Sequence, residues 1–213
     1  MPKLVFLGAG GIAIVAAEIA RSRGYEVAGF LDDKAERHGT VFCEAKILGS
    51  FDILPELRQR GIENAVVAFG NSLGRLRFAQ KALSEGFTLP NLIHISAIIS
   101  PTATVGEGAI MMPGTIVNAG ARIGRNIILN TAASVDHECV IGDGVHIGPG
   151  TRLSGLVRVG TATWIGLGTS IRESVQIGEN VLIGAGSLVL KDIPDDVVAY
   201  GSPARVIRAN SGR

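Results

Sequence analysis

Most turns in the second half of this chain carry bland residues, and one does not: Asn130-Thr131-Ala132-Ala133-Ser134-Val135-Asp136-His137-Glu138-Cys139, with His146 shortly after. An imidazole such as that of His137 can take a proton from an attacking amine or hydroxyl near neutral pH. A carboxylate beside it orients the ring and raises its basicity. Asp136 and Glu138 both neighbour His137. Adjacent strand residues face opposite sides, so either could meet the ring only through a turn or across subunits. Gly155 lies 18 residues beyond His137, one full coil in the repeat described below. Its backbone N–H would then stand over the ring, where it could stabilise the oxyanion of a tetrahedral intermediate. A base next to such an N–H is what acyl transfer requires. The competing reading is a solvated surface histidine in a turn. Cys139 reads as a small core residue, so direct attack on the acyl donor is expected, without a covalent acyl-enzyme.

A second candidate site opens the chain. Gly8-Ala9-Gly10-Gly11-Ile12-Ala13 satisfies G-x-G-x-x-A, and Asp32 follows Gly10 by 22 residues. Glycines there let backbone approach phosphates at a helix N-terminus. The segment has room for about three strands, half of what a dinucleotide fold needs, so a mononucleotide or sugar-nucleotide fits better than NAD. Asp32-Asp33 ends the second strand, where acidic groups suit ribose hydroxyls, base N–H groups or an amino sugar. A tight strand–helix turn with no ligand, and a solvated Asp-Asp turn, are the alternatives.

The elements that must position these residues follow from periodicity. Every sixth residue from Ile93 to Val189 is apolar, at 17 positions in one unbroken phase. Gly often follows, as at Gly106, Gly124, Gly142 and Gly148. This is the hexapeptide signature of a parallel β-helix. Three hexads close a triangular coil of about 18 residues, each coil stacking roughly 4.8 Å above the last. The same register stacks Leu167 under Ala185, a seam along which an extended acyl-carrier arm could lie. Before the repeat the grammar changes. Lys3–Leu7, Glu26–Leu31 and Asn64–Phe69 read as strands, and Ala13–Arg23, Phe51–Arg60 and Leu73–Ser84 as helices. That alternation implies a small parallel α/β domain. The expected organisation is residues 1–86 for a nucleotide-sugar-binding α/β domain, 87–194 for the β-helix, and 195–213 for a short tail. Pro194 is expected to end the ladder.

Bulk properties narrow the function classes. The formal net charge is +1 and charged residues make up 18% of the chain, without the basic surplus expected for nucleic-acid or membrane-surface binding. No apolar stretch reaches the length of a membrane span. Two cysteines, Cys43 and Cys139, are too few for a disulfide framework and read as free thiols. A cytoplasmic location is expected. A metal-dependent hydratase on the same scaffold would need three converging histidines, and the spacing of His38, His94, His137 and His146 does not provide them. No metal is expected. A non-catalytic sugar-nucleotide sensor or scaffold is the remaining alternative.

Several segments together carry a resemblance. They are Gly8-Ala9-Gly10-Gly11, Phe30-Leu31-Asp32-Asp33, Ala68-Phe69-Gly70-Asn71, Asn91-Leu92-Ile93-His94, Leu129-Asn130-Thr131, His137-Glu138-Cys139-Val140-Ile141-Gly142, His146 and Gly201-Ser202-Pro203-Ala204-Arg205. With them the chain resembles the bacterial sialic-acid O-acetyltransferase / sugar-nucleotide N-acetyltransferase family, whose best-known type N-acetylates a UDP-4-amino sugar. The resemblance implies a left-handed β-helix, a homotrimer, and acetyl-CoA as donor. It implies His137 as general base, Glu138 as the carboxylate raising its basicity, and the Gly155 N–H as oxyanion donor. It implies that His146, Leu167, Ala185, Pro203 and Ala204 contact CoA, and that Gly10, Gly11, Ile12, Asp32, Asp33, Gly70 and Asn71 line the nucleotide-sugar site. Many members carry His after the double glycine, whereas this chain carries Ile12. The implied activity is N-acetylation of a nucleotide-linked amino sugar of the UDP-4-amino-4,6-dideoxy-N-acetylhexosamine type. A GDP-linked amino sugar or a sialic acid remains open as acceptor.

Overall fold

The structure is a computed structural model that describes residues 1–210. The chain divides into two compact units after Leu92.

The first unit is built on a five-stranded sheet. Its strands are β1 (Lys3–Leu7), β2 (Glu26–Leu31), β3 (Val41–Phe42), β4 (Ala45–Gly49) and β5 (Asn64–Val67), in the order β3-β4-β2-β1-β5. Strand β1 lies between β2 and β5, parallel to both. Its run Leu4-Val5-Phe6-Leu7 is fully buried, the pattern of a parallel strand covered on both faces. Helix α1 (Gly11–Ser22) buries Ala13, Ala16, Ala17, Ile19 and Ala20, a helical stripe of mostly small residues that lets it pack closely. Helix α2 (Leu54–Gln59) follows a short 3₁₀ turn at Phe51–Ile53. Helix α3 (Ser72–Ser84) starts where the Asn71 side chain accepts from the Gly74 N–H at 2.6 Å.

Two expectations for this unit change. The sheet has five strands rather than three, because β3 and β4 form a two-residue-linked hairpin through Cys43 and Glu44, both at positive φ. Strand β4 then joins β2 in parallel, with Phe30 opposite Ile47. Neither cysteine nor glutamate advertises such a turn, so periodicity passed over it. The third strand also stops at Val67, and Phe69 instead packs against Phe51 and Phe78. With five strands the sheet is no longer too small for a larger nucleotide.

The second unit is a left-handed parallel β-helix. Each apolar stop from Ile99 through Val189 is the second residue of a two-residue strand. Pairing holds an 18-residue register: Val117 lies opposite Val135, Val135 opposite Leu153, Ile147 opposite Ile165 and Ile165 opposite Ile183. One face carries Ser134–Val135 and Arg152–Leu153, the next Val140–Ile141 and Arg158–Val159, the third His146–Ile147 and Trp164–Ile165. The stops fill one continuous core with the small residues two positions before them, such as Ala133, Val145 and Val157. Each fully buried aliphatic side chain contributes about 1.5–3 kcal/mol.

The ladder does not end at Pro194. Ile193 bridges Ile177, and Val197–Gly201 pairs in parallel with Leu182–Ile183. Ala204–Ala209 then returns antiparallel to Val197–Gly201. Ile183 faces Ala199, so this last coil is two residues short. The shortening falls between Val189, still 18 residues from its partner Ile171, and Ile193, 16 from Ile177; Pro194 follows it on the last coil, where no ladder donor is required of it. The segment expected as a tail thus forms a strand pair through Ala209, while residues 211–213 lie outside the described residues.

Candidate active site

His137 lies in the turn between the face of Ser134–Val135 and that of Val140–Ile141. Val135 and Cys139 are buried on either side and anchor the turn to the core. Backbone bonds tie it to both neighbouring coils: Asp136 N–H donates to Leu153 O at 3.1 Å, and Glu138 N–H to Ala119 O at 2.9 Å. Glu138 has φ of 56°, and this left-handed backbone swings its side chain to the same side as the ring. Its Oε2 lies 3.4 Å from His137 Nδ1. The turn, within one protomer, resolves how adjacent residues come to pair. An ionised carboxylate only accepts, so the partner assigns the proton to Nδ1 and leaves the Nε2 lone pair open. The His137 side chain is half exposed, consistent with access for a reactant.

Gly155 closes the site from above. Leu156 N–H donates to His137 O at 2.9 Å, which sets the backbones in register. A Cβ on Gly155 would fall 2.4 Å from both Cε1 and Nε2 of His137. No side chain fits there while the ring holds its place. The Gly155 N–H makes no hydrogen bond among the described residues. The equivalent N–H of His137 is taken by Asp136 Oδ1 at 2.8 Å. Below the pair, Gly120 has φ of 69°, and its backbone lies under the Glu138 side chain.

Asp136 Oδ1 also accepts from Asn118 Nδ2 at 2.8 Å. The Asn118 amide and then the His137 N–H hold the Asp136 carboxyl below the ordinary carboxylate range. Burial pushes the Cys139 thiol up, and the thiol lies 3.2 Å from Ser154 O. A raised thiol pKa means little thiolate, which makes Cys139 a poor nucleophile.

The other candidate residues are not gathered at His137. His146 sits on the third face, 5% exposed, edge-on to Trp164 with ring centroids 5.7 Å apart, and 3.4 Å from Asn130 Nδ2. Leu167 and Ala185 stack in the turn between the third and first faces, with Gly186 N–H donating to Leu167 O at 2.8 Å. Leu167 is exposed. Pro203 is exposed and Ala204 is buried in the coil core, so Ala204 can offer only backbone.

In the first unit, the turns after β1, β2 and β5 share the carboxyl edge of the sheet, where open α/β sheets take ligands. Gly8, at φ of 107°, is required locally, since a Cβ would meet Ala68 O at 3.1 Å. Gly10 and Gly11 differ: a Cβ on either meets nothing within 4 Å and neither has positive φ. They leave open space at the start of the 12-residue helix α1. Ile12 is half-buried and Asp33 exposed. Asp32 is not a free acceptor. Its carboxylate pairs with Arg37 and accepts from the Lys34 N–H at 3.0 Å, while its carbonyl meets His38 Nε2 at 2.7 Å. Asn71 is occupied as the α3 cap, beside half-buried Gly70. Under that turn lies Arg75, 1% exposed, donating to Phe69 O at 3.0 Å. Burial lowers its pKa to about 9, still protonated at neutral pH. Arg37 and Arg75 escaped the sequence reading because each acts through a fold-dependent partner. Asn118 had a usable signal: it lies 18 residues before Asp136.

Residues 3–82 match the family model described as the PglD N-terminal domain. The chain is similar to the perosamine N-acetyltransferase of Caulobacter crescentus, seen as a histidine-to-asparagine mutant in complex with CoA and GDP-perosamine. Identity is 38%, 96% of each chain is covered, and the TM-score is 0.93. The chain belongs to the hexapeptide-repeat acyltransferase family. This acetyltransferase is also similar to the acetyltransferase domain of PglB from Neisseria gonorrhoeae, in complex with acetyl coenzyme A. There identity is 38% over 97% of this chain and 99% of that one, with a TM-score of 0.88. WeeI from Acinetobacter baumannii, 24% identical with a TM-score of 0.85, shares the fold. Among the described residues of the acetyltransferase, no group of three His, Cys, Asp or Glu is placed to hold a metal ion. No helix among them is long and apolar enough to cross a membrane.

Proposed function

We propose that the chain transfers the acetyl group of acetyl-CoA to the amino group of a nucleotide-linked amino sugar, with His137 as general base. The carrying observation is the His137 ring packed against the Gly155 backbone, so close that a Cβ there would lie 2.4 Å from Nε2, beside a Gly155 N–H that makes no hydrogen bond among the described residues. The amine nitrogen attacks the thioester carbonyl, and Nε2 takes the proton it sheds. The Gly155 N–H stabilises the oxyanion. Collapse breaks the C–S bond, and the His137 proton goes to the departing CoA sulfur. Glu138 holds the Nδ1–H throughout, so the ring returns in the same tautomer. His146, Leu167, Ala185 and the backbone at Pro203-Ala204 hold CoA. CoA in one relative and acetyl coenzyme A in another support acetyl-CoA as the donor.

The acceptor is held by the first unit. The open space at Gly10 and Gly11 suits a diphosphate at the N-terminus of α1. Ile12 and the Gly70-Asn71 turn line it, and Asp33 is the acidic group left free for a sugar or ribose, since Asp32 is engaged by Arg37. GDP-perosamine in the Caulobacter relative supports a nucleotide-linked amino sugar as the class.

The active assembly is a homotrimer. His137 and the Leu167–Ala185 seam lie at opposite edges of one coil face, separated by roughly 15–20 Å for a face of five or six residues. A neighbouring protomer that sets its seam against this His137 brings donor and base together and excludes water. Light scattering is expected to give three times 22.1 kDa. A fully active monomer would refute the assembly.

The test of the function is CoA-thiol release with GDP- and UDP-linked 4-amino sugars, alongside analogues with hydroxyl in place of the amine. Turnover is expected only with the amine. Release with the hydroxyl analogues and none with any amine would overturn the reading.

A further inference from the structure

We propose that Asp136, braced by Asn118 from the coil below, is a positioning residue for His137; this rests on the reading of His137 as the base. The turn is held to its neighbouring coils at Asp136 and Glu138, through donors to Leu153 O and Ala119 O. The N–H of His137 reaches neither coil. One oxygen, Asp136 Oδ1, takes that N–H at 2.8 Å and the Asn118 amide at 2.8 Å. The backbone of His137 is thereby tied to a side chain that is itself tied to the next coil.

Two consequences follow. The direction of the Cα–Cβ bond of His137 is fixed, and with it the placement of Nε2 against Gly155. The His137 N–H is also taken by Asp136 Oδ1, so the Gly155 N–H is the donor left to face a developing oxyanion. The coil above has Ser154 at the position of Asp136, and there the following N–H, that of Gly155, stays open. The difference between Asp136 and Ser154 thus matches the difference in role between His137 and Gly155. Asn118 supports the carboxylate by donating an amide hydrogen, which keeps Oδ1 ionised and aimed at the turn.

The experiment compares Asp136→Ala, Asn118→Ala and the exchange N118D/D136N. In the exchange, the amide oxygen at 136 can still accept from the His137 N–H, and its NH₂ can donate to the carboxylate at 118. The bracing is kept while the charge moves one coil away. Circular dichroism and oligomer size establish that each variant is folded. Asp136→Ala is expected to lower kcat by roughly tenfold and Asn118→Ala by roughly three- to fivefold, the loss of one charge-assisted hydrogen bond, with KM for acetyl-CoA within about twofold of native. The exchange should restore kcat to within about threefold. A residue that only stabilised the coil would not give this split or this rescue. In parallel, the ¹⁵N imidazole signals of His137 in the free protein are expected to shift in the alanine variants and return in the exchange. Native kcat and an unmoved ring spectrum in Asp136→Ala would overturn the proposal, as would an exchange variant as impaired as Asp136→Ala. A native protein that turned over no amino sugar would count against the proposed function, and the ring spectra would still decide the role of Asp136.

Discussion

Replacing Gly155 by alanine is the sharpest perturbation of this site. The backbone at Gly155 does not need glycine, since its φ lies outside the left-handed region. The obstacle is the imidazole: an alanine Cβ would lie 2.4 Å from Cε1 and Nε2, and 3.0 Å from Cδ2. Ordinary contact begins at 3.4 Å, so the ring must withdraw by about 1 Å. It can do so, being half exposed, and a shift of that size endangers its contact with Glu138 Oε2, already 3.4 Å from Nδ1. A misplacement of about 1 Å in a positioned group costs on the order of 10² in rate, or about 2.7 kcal/mol in activation free energy. Alanine keeps the Gly155 N–H, so this loss is steric. It makes alanine a damaging change despite its small size and its intact N–H. Gly155→Pro removes the N–H as well, and should be worse by up to a further 10²–10³. The assay is CoA-thiol release at saturating acetyl-CoA, with thermal melting to confirm the fold. Gly155→Ala with native kcat would refute both the placement of the ring against Gly155 and the need for that placement in catalysis.

His137→Ala is expected to reduce kcat by roughly 10²–10⁴ while CoA binding, followed by calorimetry, stays near native; native turnover would remove His137 from the mechanism. Gly11→Ala should hold or raise the melting temperature, because alanine is favoured over glycine in a helix by up to about 1 kcal/mol and its Cβ meets nothing. The same change should raise KM for the sugar nucleotide severalfold, and an unchanged KM would detach that turn from the acceptor site. Cys139→Ala should leave kcat within about twofold, and the native thiol should react slowly with iodoacetamide, since burial keeps it protonated. A large loss in kcat with an intact fold would reopen a covalent route. Ile147→Ala empties a fully buried position stacked between Leu129 and Ile165 and should cost about 2–5 kcal/mol in denaturant unfolding.

What the sequence determined by itself was everything that depends on a repeat distance. A six-residue period requires one strand and one turn per hexad, and three hexads per coil, so residues 18 apart must stack. That places Gly155 over His137 and Ala185 over Leu167 without any coordinates. The G-x-G-x-x-A turn and the strand–helix alternation likewise placed β1, α1, β2 and α3 within a few residues, because local periodicity and breakers govern them. Tertiary structure decided whatever depends on a side chain's direction or on a partner with no periodic signal. Glu138 reaches the ring only because its backbone turns left-handed, and Gly155 must be glycine only because the ring lies against it. Asp32 lost its place as a free ligand group to Arg37, five residues on at the end of a 3₁₀ turn, Ala35–Arg37. Strand β4 pairs with β2 and carries β3, and Val197–Gly201 pairs with Leu182–Ile183 and carries Ala204–Ala209. Each is a strand of a few residues whose stability comes from the edge it finds, and no window of sequence contains that edge.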